Sequence, residues 1–201
     1  MADIESDIPT DPGAPTAYQV RVMQEAGALL GRKETEKNWG DIVELVASPF
    51  ISARRLATFA PGAENAGKLL WCALFVSYCW WRAWAGFKRF ADSECTDLWA
   101  KMLAQGWTWE KEDVVGEVET REGNSSDRVR DRSYHMSEAQ VFGFARVLPD
   151  GGTVEPGPPR MGDIIFFIEL DEHGRPLWKD GKPKLRHVGL VRRYVPPAVA
   201  P

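Results

Sequence analysis

Three cysteines stand in this sequence, Cys72, Cys79 and Cys95, and a cysteine thiolate is the best side-chain nucleophile near neutral pH. Cys72 opens an apolar run directly after the glycine-bearing stretch 62–70, where a helix is expected to begin. The positive end of a helix dipole and its unpaired N–H groups lower a thiol pKa at that position. A cysteine in an apolar helix is also ordinary core filling, since free cysteine is among the most buried residue types. Cys79 lies deep in the same run and fits that second role. Cys95 sits among Asp92, Glu94 and Asp97, whose charges would raise its pKa and weaken it as a nucleophile. A base is needed as well, and the chain has three histidines. His187 opens the stretch Val188-Gly189-Leu190-Val191, and a strand packed on the Cys72 helix would carry the imidazole to the thiol as general base or ion-pair partner. A strand-edge histidine bonded to backbone is the plain alternative. His135 falls in a charged segment and His173 in a turn, so both are expected in solvent. Distance along the chain is no objection, because Cys–His hydrolases join residues far apart in sequence.

Helices must hold the thiol and strands the base. Val20, Met23, Gly27 and Leu30 recur at helical spacing over Ala17–Leu30, with Gly31 at the position of a C-terminal cap. Shorter helices are expected over Asp41–Ala47 and Ala53–Phe59, the latter ending before Pro61-Gly62. The run from Trp71 to Ala85 is apolar almost all round and holds one charge, Arg82, which describes a helix buried on most sides. Thr96–Gln105 predicts one more helix, ending at Gly106. Residues 110–135 are rich in charge and contain Gly123-Asn124-Ser125-Ser126, which suggests a surface excursion. After Gly151-Gly152 the period changes. Ile164–Leu170 and Val188–Val195 are β-branched and aromatic, and the segment between them carries two glycine turns, so an antiparallel hairpin with a long loop is expected. Helices first and strands second argue for an α+β fold.

Composition excludes several classes of function. The chain has 201 residues, 44% of them hydrophobic, enough for one sizeable core. The net charge is −4, and Asp3, Glu5, Asp7 and Asp11 account for it. Residues 1–16 are therefore expected to be a mobile acidic arm, ahead of a charge-balanced single domain over 17–201. A balanced domain offers no basic face for nucleic acid. An odd cysteine count argues against a disulfide framework. No ligand spacing suggests structural zinc, so no metal or cofactor is expected. No stretch approaches the ~20 apolar residues of a membrane span, and no basic segment precedes an apolar run at the N-terminus. The expectation is a chain made in the cytoplasm without a signal peptide.

Three strings together resemble one family. Trp71-Cys72-Ala73-Leu74-Phe75-Val76-Ser77 is similar to the nucleophile motif of CHAP-type peptidoglycan hydrolases (cysteine, histidine-dependent amidohydrolase/peptidase), which are related to the NlpC group. Met161-Gly162-Asp163-Ile164-Ile165-Phe166-Phe167 resembles their second motif, and His187-Val188-Gly189-Leu190-Val191 their base-bearing strand, in the same order. The resemblance spans about residues 17–195. It implies a papain-like α+β fold, with the nucleophile helix packed on a small C-terminal antiparallel sheet and insertions at about 107–155 and 171–185. It also implies hydrolysis of amide bonds in bacterial peptidoglycan, as an amidase or endopeptidase, with Cys72 as nucleophile, His187 as base and Trp71 either lining the cleft or packed as an ordinary core tryptophan. A phage lysin or an antibacterial effector would suit such an enzyme; it would reach the wall by delivery or lysis, and a toxin would have an immunity protein or a secretion partner. The alternatives are a papain-like hydrolase of a cytoplasmic protein or small amide, and a catalytically silent binding domain.

One member of the expected site is missing. The resemblance implies an Asn, Glu or Asp that orients the histidine from a strand after the base strand, yet Val195 is followed only by Pro-Pro-Ala-Val-Ala-Pro. If Leu170 pairs near His187 across the hairpin, Glu169 falls beside or diagonal to the imidazole and can hold it. A backbone carbonyl, a water, or a residue elsewhere in a longer chain would serve instead.

Overall fold

The computed structural model describes residues 15–111 and 114–198. The acidic arm expected over residues 1–16 therefore lies, apart from its last two residues, outside the described residues. The described residues form five helices, α1 (Ala17–Ala28), α2 (Asp41–Ala47), α3 (Ala53–Leu56), α4 (Cys72–Ala83) and α5 (Cys95–Leu103), with short 3-10 turns at Ala57–Phe59 and Ala85–Arg89. Eight strands follow: β1 (Thr108–Glu110), β2 (Glu117–Glu122), β3 (Arg130–His135), β4 (Val141–Ala145), β5 (Ile164–Ile168), β6 (Trp178–Lys179), β7 (Lys182–Pro183) and β8 (Leu185–Val195). Six of them form one antiparallel sheet in the order β1-β4-β5-β8-β2-β3, while β6 and β7 make a small ribbon inside the loop before β8. The α+β expectation and the β5–β8 hairpin are both found.

Why α4 forms, and why it is central, follows from its composition. Leu74, Phe75, Val76, Cys79 and Trp80 point to several sides of the helix, and all are 0% exposed. Burying each of the larger ones stabilises the fold by about 1.5–3 kcal/mol. α1 and α2 cover one side of this helix and β8 another. The amphipathic α1 begins at a capping box, in which Thr16 Oγ1 accepts from Gln19 N and Gln19 Oε1 accepts from Thr16 N. Gln19 then reaches the fully buried Asp163 at the start of β5, where Arg146 and the Arg160 N–H also converge, so one carboxylate ties α1 to β4 and β5.

β5 is buried on both faces, which explains its unbroken Ile-Ile-Phe-Phe-Ile sequence. Ile164, Phe166 and Ile168 join the core under the helices; Ile165 and Phe167 join a second cluster on the other face with Val118, Tyr134 and Phe144.

The stretch 110–135 is not a surface excursion. It supplies β2 and β3, and β2 lies beside β8 in the middle of the sheet. Val118, Thr120 and Glu122 are buried there, each 0% exposed, while the residues between them face the other way. The charged residues masked a period-two pattern in which one buried position is a carboxylate.

Candidate active site

Cys72 is the first residue of α4, and Trp71 caps the helix with backbone alone. Its N–H is one of those the first helical turn leaves without an intrahelical acceptor. Cys72 is 2% exposed and has a companion: its Sγ lies 3.5 Å from Sγ of Cys95, the first residue of α5. Thr96 fixes that second helix start, accepting from Leu185 N at 3.2 Å and donating to Pro183 O at 3.3 Å. Both helix N-termini thus converge beside the beginning of β8.

His187 lies on β8 opposite Phe167 of β5, whose ring centroid is 5.6 Å from the imidazole. Its Nε2 is bonded to Glu122 Oε2 at 2.9 Å, which leaves Nδ1 for the thiol. The Glu122 side chain is fully buried and satisfied: Thr120 donates to Oε1 at 2.6 Å and Tyr134 to Oε2 at 3.2 Å. Two glycines make room for this group. A Cβ on Gly189 would stand 2.7 Å from Glu122 Cγ, and one on Gly123 would stand 2.5 Å from Phe75 Cβ of α4. The glycine two residues after the histidine is therefore what lets β2 deliver its carboxylate to the imidazole.

The electrostatics follow from this packing. The Cys95 thiol, donating to Cys72, is the largest influence on Cys72 and draws its pKa down. Burial opposes that effect, the adjacent His187 charge reinforces it, and the thiol ionises well below its usual range. Burial alone would lower His187, but the Cys72 thiolate and the Glu122 carboxylate outweigh it and raise the imidazole to about 10. Burial pushes Glu122 up, and the stronger pull of His187 with the Thr120 and Tyr134 hydroxyls holds it below the usual carboxylate range. The resulting state is a thiolate–imidazolium pair backed by a carboxylate. It supplies a ready nucleophile, a proton donor and a group that fixes the donor's tautomer.

Of the residues singled out in the sequence, the fold brings Cys72 and His187 together. Glu169 is not with them. It pairs with Lys184 at 2.9 Å, and its backbone N–H bonds to Lys184 O: the regular β5–β8 ladder sets His187 opposite Phe167, and Glu169 lies beyond that pair toward the loop. Glu122 holds the position foreseen for Glu169. It comes from a strand earlier in the chain than the histidine, although that strand lies next to β8, where a strand following it would pair. Trp71 does not line a cleft: it is 0% exposed and packs in the core. Cys79 is buried in the core, and desolvation pushes its thiol far up. Cys95 is pushed up too, chiefly by Cys72 and then by burial, with Glu94 a smaller cause. His135 is exposed and bonded to Ser137, and His173 is exposed beside Glu172. Sequence reasoning missed Glu122, Tyr134 and the approach of Cys95 to Cys72. Only the alternation of Val118, Thr120 and Glu122 could have signalled the first.

A cavity of about 230 Å³ opens beside His187 and Glu122, walled by Ser125, Arg132, Phe167 and Arg186 among others. Among the described residues, no three His, Cys, Asp or Glu side chains are grouped to hold a metal ion, and no helix is long and apolar enough to cross a membrane. Comparison with protein-family models, curated proteins and solved structures finds no match.

Proposed function

We propose that this chain is a papain-like cysteine hydrolase of the CHAP type that cuts amide bonds of bacterial peptidoglycan. The Cys72–His187–Glu122 constellation carries the proposal: a helix-start thiol with its pKa drawn down, an imidazolium bonded through Nε2, and a buried carboxylate behind it. The cysteine, glycine-aspartate and histidine strings support the choice of substrate class.

The chemistry runs in two halves. The Cys72 thiolate attacks the scissile carbonyl, and the negative oxygen that develops lies near the Cys72 N–H at the α4 N-terminus, a donor arrangement suited to an oxyanion. The C–N bond breaks as His187 passes its Nδ1 proton to the leaving amine, giving a thioester. Water then loses a proton to His187, attacks the thioester carbon, and releases a carboxylic acid and the thiolate. Glu122 keeps the ring oriented through both halves and stabilises its charge.

Release of muropeptides from purified sacculi tests the proposal, with Cys72→Ala as the control. New amine and carboxyl ends that appear only with the unsubstituted protein support it, and intact sacculi would sink it. One observation favours a second reading, a silent binding domain on the same fold: Cys72 has little surface of its own, at 2%. Iodoacetamide separates the two, because a working nucleophile is alkylated at pH 6–7 and a sealed one is not.

A further inference from the structure

The hydrolytic cycle uses Cys72 and gives Cys95 no bond to make or break, yet the two thiols are in contact. Their Sγ atoms are 3.5 Å apart although the residues lie 23 positions apart in the chain, and neither belongs to a disulfide. Each is the first residue of its helix, Cys72 of α4 and Cys95 of α5, so both sulfurs stand at helix starts, where a thiolate is favoured. The second thiol is held in place from behind: Thr96, the next residue, is bonded to Pro183 O of β7 and to Leu185 N of β8. A disulfide needs an S–S separation of about 2.05 Å, so the pair closes with about 1.5 Å of approach from its 3.5 Å, shared between two side chains. Cys79 lies on the same helix but outside the pair. With Cys72 at 2% exposure and Cys95 at 5%, the oxidant that reaches them is a small one; hydrogen peroxide fits and a bulky disulfide does not.

We infer that Cys72 and Cys95 form a reversible oxidation site, at which hydrogen peroxide converts the two thiols to a disulfide and takes the nucleophile out of use. The inference goes beyond the hydrolase reading and needs only the two sulfurs and His187. The Cys72 thiolate attacks one peroxide oxygen: the S–O bond forms as the O–O bond breaks, and the departing hydroxide takes the Nδ1 proton of His187 and leaves as water. Cys95 Sγ then attacks the sulfur of the sulfenic acid: the S–S bond forms as the S–O bond breaks, and the second hydroxide leaves with the Cys95 proton, again as water. Two electrons pass from the sulfur pair to one peroxide, which becomes two waters. A dithiol returns both thiols by exchange. Without Cys95 the sulfenic acid remains open to a second peroxide and passes to sulfinic acid, which a dithiol does not reverse. Cys95 thus guards Cys72 against permanent loss.

The test treats the reduced full chain with hydrogen peroxide and follows its mass. The intact protein should lose two hydrogens, and digestion without reductant should join the peptide holding Cys72 to the one holding Cys95. Cys79→Ser should cross-link as the unsubstituted protein does, which places the junction on Cys72, and dithiothreitol should restore both thiols. In Cys95→Ala the same treatment should instead add oxygen at Cys72, trapped by dimedone at first and resistant to dithiothreitol later. If Cys95→Ala does not melt cooperatively, the mapped junction in the unsubstituted protein decides alone. Oxygen gained at Cys72 with Cys95 still free, a junction through Cys79, or thiols left untouched by peroxide each overturn the site. Turnover of sacculi is scored separately, before peroxide, after it and after dithiothreitol. A reversible Cys72–Cys95 disulfide in a protein without turnover removes the hydrolase reading and keeps the oxidation site, whereas turnover lost to peroxide and not regained with dithiothreitol removes the site and keeps the hydrolase.

Discussion

Replacing Glu122 with glutamine removes one charge and almost no volume, so it measures what the buried carboxylate does. His187 holds its proton to about 10 against an ordinary 6.5. That separation of about 3.5 pH units, at about 1.4 kcal/mol each, amounts to about 5 kcal/mol of preference for the imidazolium. Cys72 and Glu122 supply it against the penalty of burial; breaking a buried charge pair costs about 2–5 kcal/mol, and a glutamine that still accepts from the imidazole falls at the lower end, about 2–3 kcal/mol. Glu122→Gln should then lower kcat/KM by about 30- to 150-fold. The pH profile should change in a definite sense. A raised folded-state pKa stabilises the protein fully below the unfolded value near 6.5 and ceases to do so as pH rises through about 10. The alkaline limb of activity and the alkaline loss of stability should therefore both move to lower pH in Glu122→Gln. The assay is amine release from sacculi between pH 5 and 11, with thermal melting over the same range. Glu169→Gln is the control and should be within twofold of the unsubstituted protein, because Glu169 is bonded to Lys184. An active Glu122→Gln with an unmoved alkaline limb, or an equal loss in Glu169→Gln, would refute the assignment.

Cys72→Ser should abolish hydrolysis with little change in melting, and His187→Ala should be as damaging. The double variant should be hardly worse than either single one, since the two act as a unit; His135→Ala and His173→Ala should retain activity. Gly189→Ala should reproduce much of the Glu122→Gln loss by a steric route, because its Cβ would press on Glu122 Cγ from 2.7 Å; NMR titration of His187 should show a lowered pKa, and an unchanged one would mean the strand yields instead. Cys95→Ala removes the largest influence lowering the Cys72 pKa, so the pH dependence of iodoacetamide labelling at Cys72 should shift upward. In the unsubstituted protein Cys72 should label before Cys79 and Cys95, whose thiols are both pushed up.

The elements that carry strong periodicity were legible. The twelve-residue α4 is apolar on nearly every side, and no other stretch of this chain reads that way. β5 and β8 announced themselves by β-branched and aromatic runs, and their pairing put His187 within reach of Cys72. Glu122 was hidden for a physical reason. A carboxylate in a strand of Glu, Val, Glu, Thr and Arg looks solvated until the neighbours that desolvate and satisfy it are known, and Thr120, Tyr134 and His187 come from three strands. Glu169 misleads because a long loop leaves the register of its hairpin open: the ladder sets Phe167, not Leu170, opposite His187, and Glu169 falls beyond that pair beside Lys184. The approach of Cys95 to Cys72 depends on where two helix starts meet, which local sequence does not encode.

The strand order has a consequence for how the protein comes to life. Strands β1, β4 and β5 form one half of the sheet, β2 and β3 the other, and β8 alone joins them. Without β8, the β2–β3 hairpin that carries the carboxylate has no strand linking it to β5. Insertion of β8 between β5 and β2 pairs Arg121 with Leu190 and Glu117 with Val195, residues far apart in the chain, and non-local pairing of this kind is slow. The same insertion delivers His187. Closure of the sheet and assembly of the Cys72–His187–Glu122 cluster therefore depend on the same strand, and an opening that releases β8 from its slot takes His187 away from both partners.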